Sequence, residues 1–128
     1  MQRDAAKAIL IVEDSATTRA LIKAVVDEME DFTIVEAGSG FEALKLLPTQ
    51  EFNLVITDVN MPDINGLELI SFIKNNPRYN HIPLIIVSTE RSEEDKKRGL
   101  SLGAIAYVTK PFKAHELQEV IKRALLDL

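Results

Sequence analysis

The sequence predicts a doubly wound α/β fold, a five-stranded parallel sheet with helices on both faces. Three observations predict it. Short apolar runs and helix-patterned stretches alternate five times along the chain. The run Leu54-Val55-Ile56-Thr57 is β-branched at three of four positions and too short for a typical helix, so it reads as a strand buried on both faces. That run ends in a single acid, Asp58, and an earlier one ends in Glu13-Asp14. The carboxyl ends of the strands are where open α/β sheets bind their ligands.

The elements follow in order. Residues 1–7 are polar and expected to be loose at the start. Residues 8–12 form the first strand. Asp14 or Ser15 is placed to cap the helix that follows, whose apolar face is read as Leu21, Ile22, Val25, Val26 and Met29. Residues 32–37 form the second strand. Gly38-Ser39-Gly40 then turns the chain into a helix carrying Ala43, Leu44 and Leu47, with a stop expected at Pro48. The strand ending in Asp58 comes next. Pro62 and the Asn65-Gly66 pair mark the loop behind it. Leu67, Leu69, Ile70, Phe72 and Ile73 are read as the face of a third helix, ended by Asn75-Asn76-Pro77. Residues 83–87 form the fourth strand, closing on Ser88-Thr89. Residues 91–102 are crowded with charge, carry Gly99 inside and offer few apolar anchors, Leu100 and Leu102. An interior glycine costs a helix about 1 kcal/mol relative to alanine, so this helix is expected to be the least firmly held. Residues 105–108 form the fifth strand, running into Thr109-Lys110-Pro111. The last helix carries a stripe of Leu117, Val120, Ile121, Ala124, Leu125 and Leu128.

Strict alternation implies right-handed crossovers, and five strands suit the flavodoxin-like order 2-1-3-4-5. Strands one and three are then neighbours. Glu13, Asp14 and Asp58 converge on one edge, with Ser88 and Lys110 ending strands four and five on the same side. Two like charges about 4 Å apart repel by roughly 4 kcal/mol at an effective dielectric near 20. Something positive must hold them together. Lys110 is one candidate. The other is a divalent cation with oxygen ligands, and carboxylates, a loop carbonyl and water suit magnesium. A carboxylate facing a metal and a lysine can attack phosphorus and form an acyl phosphate, while metal and lysine neutralise charge on the transferring group.

Composition narrows the rest. At 128 residues the chain is expected to be one domain, residues 1–128, with a core that needs no staples. With no cysteine, disulfides, thiolate catalysis and cysteine-bound zinc are excluded. Two histidines, His81 and His115, lie far apart in sequence and form no ligand cluster. A net charge of −5 argues against nucleic acid as a direct partner. No apolar run reaches membrane-spanning length, and the expected location is the cytoplasm.

The residues at these positions resemble the receiver domain of two-component response regulators, most of all the stand-alone CheY-type members. The resemblance covers nearly the whole chain. It rests on Glu13-Asp14, on Asp58 through Gly66, on Val87-Ser88, on Gly103-Ala104 and on Tyr107-Val-Thr-Lys110-Pro111-Phe112. It implies that Asp58 is the phosphoacceptor, taking phosphate from a histidine on a sensor kinase or phosphotransfer protein. It implies magnesium held by Glu13, Asp14, Asp58 and the backbone carbonyl of Asn60. Lys110 becomes the phosphate-contacting lysine, with a cis bond to Pro111. Ser88 becomes the hydroxyl that follows the phosphate, and Tyr107 the aromatic that follows Ser88. Asn60 and Glu90 stand where the family tunes phosphate lifetime, here toward a short one. The implied output is a changed surface of helix four, strand five and helix five. It would bind a downstream protein target or a phosphatase, from a monomer or weak dimer. Enzymatic turnover beyond self-phosphorylation and autodephosphorylation is not expected.

Three rival functions fit parts of the sequence. Gly38-Ser-Gly40-Phe-Glu-Ala43 has the form of a dinucleotide fingerprint but sits after the second strand. A magnesium-dependent phosphohydrolase with an aspartyl nucleophile would carry an acid two residues further on, where Asn60 stands. A degenerate receiver acting purely as a docking module would have lost an acid or the lysine, and none is lost.

Overall fold

The computed structural model describes residues 7–29, 31–89 and 93–126. Ten main elements alternate as expected: β1 (Lys7–Val12), α1 (Ala16–Asp27), β2 (Phe32–Ala37), α2 (Gly40–Leu46), β3 (Leu54–Thr57), α3 (Gly66–Lys74), β4 (Leu84–Ser88), α4 (Glu93–Leu102), β5 (Ala106–Thr109) and α5 (Ala114–Leu126). The five strands form one sheet, order β2-β1-β3-β4-β5, and every pairing is parallel. The fold class predicted from sequence is the one observed. β1 begins one residue earlier than expected, and β4 and β5 are each shifted one residue toward the C-terminus.

Side-chain alternation along the strands divides the core in two. Leu10, Val12, Val55, Leu84 and Ile86 face α2, α3 and α4. Ile9, Ile11, Leu54, Ile56, Ile85 and Val87 face α1 and α5, meeting Ile22, Val26, Leu117 and Ile121. β3 is buried at all four positions, since it lies between β1 and β4 with helices above and below.

Several helix faces differ in detail from the sequence reading. In α1 the buried stripe is Ile22, Val25 and Val26, and Leu21 is 54% exposed. One residue is about 100° of helix, enough to carry Leu21 off the core side. The same rotation leaves Phe72 of α3 at the surface, where its ring lies 6.4 Å from that of Tyr79. Pro48 does not stop α2 outright. It sits in a 3₁₀ turn, Leu47–Thr49, that prolongs the helix. An early helical position needs no N–H from proline. Leu128 and Glu90 lie outside the described residues.

α4 holds the most informative difference. Leu100 is 40% exposed and does not anchor the helix. The buried residue is Gly99, packed so closely on β4 that a Cβ there would collide with Ile86 Cδ1 and stand 3.8 Å from the Tyr107 ring. The glycine that weakens the helix locally is what lets it seat on the sheet.

Candidate functional site

The carboxyl edge is assembled by the backbone ladder. Asp58 N donates to Val12 O at 3.1 Å, and Glu13 N donates to Ala37 O at 3.0 Å. The ends of β1, β2 and β3 are thereby fixed side by side. Lys110 N donates to Ser88 O at 2.8 Å, which ties the chain leaving β5 to the end of β4. The Lys110–Pro111 peptide bond is cis.

On this frame the acids converge. Oxygen atoms of Glu13, Asp14 and Asp58 all lie within 4.8 Å of one another. Glu13 and Asp58 are buried, and Asp14 is exposed. Lys110 Nζ stands 3.0 Å from Glu13 Oε1 and 3.5 Å from Asp58 Oδ2. The other oxygens have backbone donors, with Val59 N donating to Asp58 Oδ1 at 2.7 Å and Ser15 N to Glu13 Oε2 at 3.1 Å. Burial pushes the Glu13 carboxyl above its ordinary value, against the Lys110 and Ser15 bonds that favour its ionised form. Lys110 bridges two of the three carboxylates, Glu13 and Asp58, so a cluster of hard oxygen donors is left short of positive charge. That donor set fits a divalent cation such as magnesium.

Ser88 is fully buried at the end of β4. Tyr107 is half-buried, in register with Ile86 on the neighbouring strand and packed on the core under α4. Asn60 is exposed in the loop after β3. His81 and His115 are both exposed.

Two further residues hold the site that the sequence reading passed over. Asp63 accepts from Gly40 N at 3.2 Å and Phe41 N at 2.9 Å, so the loop after β3 caps α2. These bonds to backbone amides, Phe41 first, hold the Asp63 carboxyl below its ordinary value. With Asp63 on the first amides of α2, the glycine-rich turn there is a capped helix start, not a phosphate cradle. Arg19 reaches from α1 to the end of β1, donating from Nη1 to Glu13 O at 2.7 Å and from Nε to Glu36 Oε1 at 3.2 Å. Asp63 was not visible locally, because it and its amides are about two dozen positions apart in sequence, and Arg19 bonds a backbone carbonyl, which no side-chain pattern marks.

The Asp63 bond gives a pH prediction. A carboxyl with a depressed folded pKa adds stability that is complete above its unfolded value, near 3.8, and is lost as pH falls through the folded value. Asp63→Ala should therefore melt below the parent at neutral pH, and the gap should narrow on acidification below that value. A gap independent of pH from neutral to strongly acidic would sink this account.

Gly66 gives a second prediction. A Cβ there would collide with Asp58 O and stand 2.8 Å from Asp58 C and 2.9 Å from Val59 Cα, all backbone atoms. Gly66 N also donates to Val59 O at 2.8 Å. Backbone cannot rotate away as a side chain can, so Gly66→Ala should cost at least about 1–3 kcal/mol of overpacking. Gly99→Ala, facing the mobile end of Ile86, should cost less. Denaturant midpoints of the two variants check the order.

Fold and site together define a doubly wound α/β domain with a lysine-bridged acidic cluster at its topological switch point. The response regulator receiver domain model matches residues 9–122, and the chain belongs to that family. It is 36% identical over 118 residues to a chemotaxis protein CheY homolog of Campylobacter jejuni, covering 91% of each chain. The signal receiver domain of a signal transduction histidine kinase from Syntrophus aciditrophicus superimposes with a TM-score of 0.88 at 33% identity, covering 96% of this chain and 92% of that one. The Mn(2+)-bound form of response regulator Rcp1 superimposes with a TM-score of 0.76 at 28% identity, covering 93% and 89%. Among the described residues no helix is long and apolar enough to cross a membrane.

Proposed function

We propose that the chain is a phosphorylation-dependent signalling switch with Asp58 as its phosphoacceptor. The observation that carries this is the arrangement around Asp58. One carboxylate oxygen is fixed by Val59 N, the other faces Lys110, and Glu13 and Asp14 lie alongside. An Asp58 oxygen attacks phosphorus, and the phosphorus–nitrogen bond of a phosphohistidine on a sensor kinase or phosphotransfer protein breaks. The histidine nitrogen leaves with the bond's electron pair, and an acyl phosphate remains on Asp58. Lys110 neutralises charge on the transferring group from its place between Glu13 and Asp58.

Glu13, Asp14, Asp58 and the backbone carbonyl of Asn60 are the ligands we assign to magnesium. When bound, the cation offsets the negative charge gathered on the transferring phosphoryl oxygens. The all-oxygen donor set supports this, as does the manganese-bound form of the similar Rcp1.

The phosphoryl group adds about −2 charges to the edge. Ser88 and Lys110 close on it, Tyr107 follows Ser88, and the seat of α4 against Ile86 and Tyr107 shifts. The changed α4–β5–α5 surface then binds a downstream protein. Asn60, with Glu90 outside the described residues, sets a short lifetime for the acyl phosphate. The chain turns over no substrate beyond its own phosphate and works in the cytoplasm as a monomer or weak dimer.

Intact mass after incubation with magnesium and acetyl phosphate tests the reading. One added phosphoryl group, dependent on magnesium, is the expected result. No adduct together with no fluoroberyllate binding would leave the acidic edge structural and the chain a constitutive docking module.

A further inference from the structure

Glu13 is held at more points than a surface carboxylate needs. Its N–H is bound to Ala37 O at the end of β2. Its carboxylate takes Ser15 N and Lys110 Nζ. Its carbonyl oxygen takes the Arg19 guanidinium at 2.7 Å, the shortest of these bonds. The last of them is the least expected, since the β1–α1 turn is already closed by the Ser15 cap, which accepts from Thr18 N.

Arg19 is well placed for it. It lies one turn into α1, with its own N–H on Ser15 O at 2.8 Å. Helical side chains lean toward the helix N-terminus, so from position 19 the guanidinium is carried back over the turn holding Glu13, Asp14 and Ser15. Its fork then divides between two strands, Nη1 to the end of β1 and Nε to Glu36 on β2. Glu36 and Arg19 keep 39% and 23% of their side-chain surface exposed. An ion pair this exposed contributes little by charge alone. Its effect is geometric, because it aims the guanidinium at the Glu13 carbonyl.

We propose that Arg19 is a positioning residue for the cation site, clamping the Glu13 carbonyl so that the Glu13 and Asp14 carboxylates are presented to a divalent ion without reorganisation. This rests on the magnesium reading of the acidic cluster. A clamp on a ligand's backbone belongs to the outer shell of a metal site, where loss of a partner typically lowers affinity about 10–100-fold. Lysine at 19 would supply charge but not two divergent donors in one plane.

The test is calorimetric titration of the full chain with magnesium chloride alone, for the parent, Arg19→Ala, Arg19→Lys and Glu36→Gln, with metal-free melting curves alongside. The expected result is affinity about tenfold or more weaker in Arg19→Ala, and incompletely restored in Arg19→Lys. Glu36→Gln, which keeps the carbonyl bond, should lose less. Amide exchange at Asp14 and Ser15 of the metal-free protein should quicken in Arg19→Ala by a similar factor, beyond any change at core amides of β3. Unchanged affinity in Arg19→Ala, or weaker affinity that merely tracks a uniform loss of stability, overturns the proposal. If the parent itself binds no magnesium, the magnesium reading fails first and the proposal with it. Should Arg19→Ala fold poorly, Arg19→Lys against Glu36→Gln carries the same decision.

Discussion

Asp58→Asn should take up no phosphoryl group from acetyl phosphate under conditions where the parent chain gains one. The substitution is close to isosteric, so Val59 N keeps an oxygen to bond at the Oδ1 position, now 2.7 Å away. The nucleophile is what is lost. An amide oxygen carries no full negative charge, and its attack on phosphorus would form a cationic O-phosphorylated imidate in place of an acyl phosphate. The effect should therefore be complete at the level of intact mass, not a partial slowing. Stability should move differently. Asp58 lies within the 4.8 Å cluster with Glu13 and Asp14, and removing one of three like charges relieves repulsion in the metal-free protein. The variant should melt at or above the parent without metal, and should gain less than the parent from added magnesium. Phosphate found on the variant would place the acceptor elsewhere. A variant that unfolds instead would show the carboxylate to be structural.

That expectation begins with residues the sequence displays openly. The acids at 13, 14 and 58 and the lysine at 110 were placed on one edge by strand order alone, because a parallel sheet puts every carboxyl end on the same side. The register and burial agree with that inference. What could not be read was contact between elements. Arg19 and Asp63 carry no local signal of their bonds, because both reach groups that the turn after β1 and the loop after β3 bring near them. Gly99 was read by its helix propensity, a local quantity, whereas its place is decided by the approach of α4 to Ile86. Leu21 and Phe72 were assigned inward because apolar character was counted before angle. In both helices the stripe lies about 100° to one side.

Lys110→Ala should have the second large effect, and it should separate charge balance from chemistry. Lys110 has 14% of its side chain exposed and bridges Glu13 and Asp58, whose side chains are 1% and 8% exposed. Removing one partner of a buried pair leaves the other charge uncompensated, at a typical cost of about 3–5 kcal/mol. Here two carboxylates lose the same cation. The metal-free variant should lose stability on that order near neutral pH, seen as a lower urea midpoint. Magnesium should restore much of it, since a divalent ion supplies the missing charge to the same oxygens. Its affinity should be no weaker than in the parent, because a competing cation has gone. Phosphoryl uptake should nevertheless stay far below the parent at saturating magnesium. The lysine's proposed part is on the transferring group, and the ion at the carboxylates does not replace it there. Stability rescued without uptake is the expected pattern. If magnesium restores both together, Lys110 is a counter-ion for Glu13 and Asp58 and has no separate part in the transfer. If it restores neither, the lysine stem holds the end of β5 in place through packing, and the bridge to the acids follows from that.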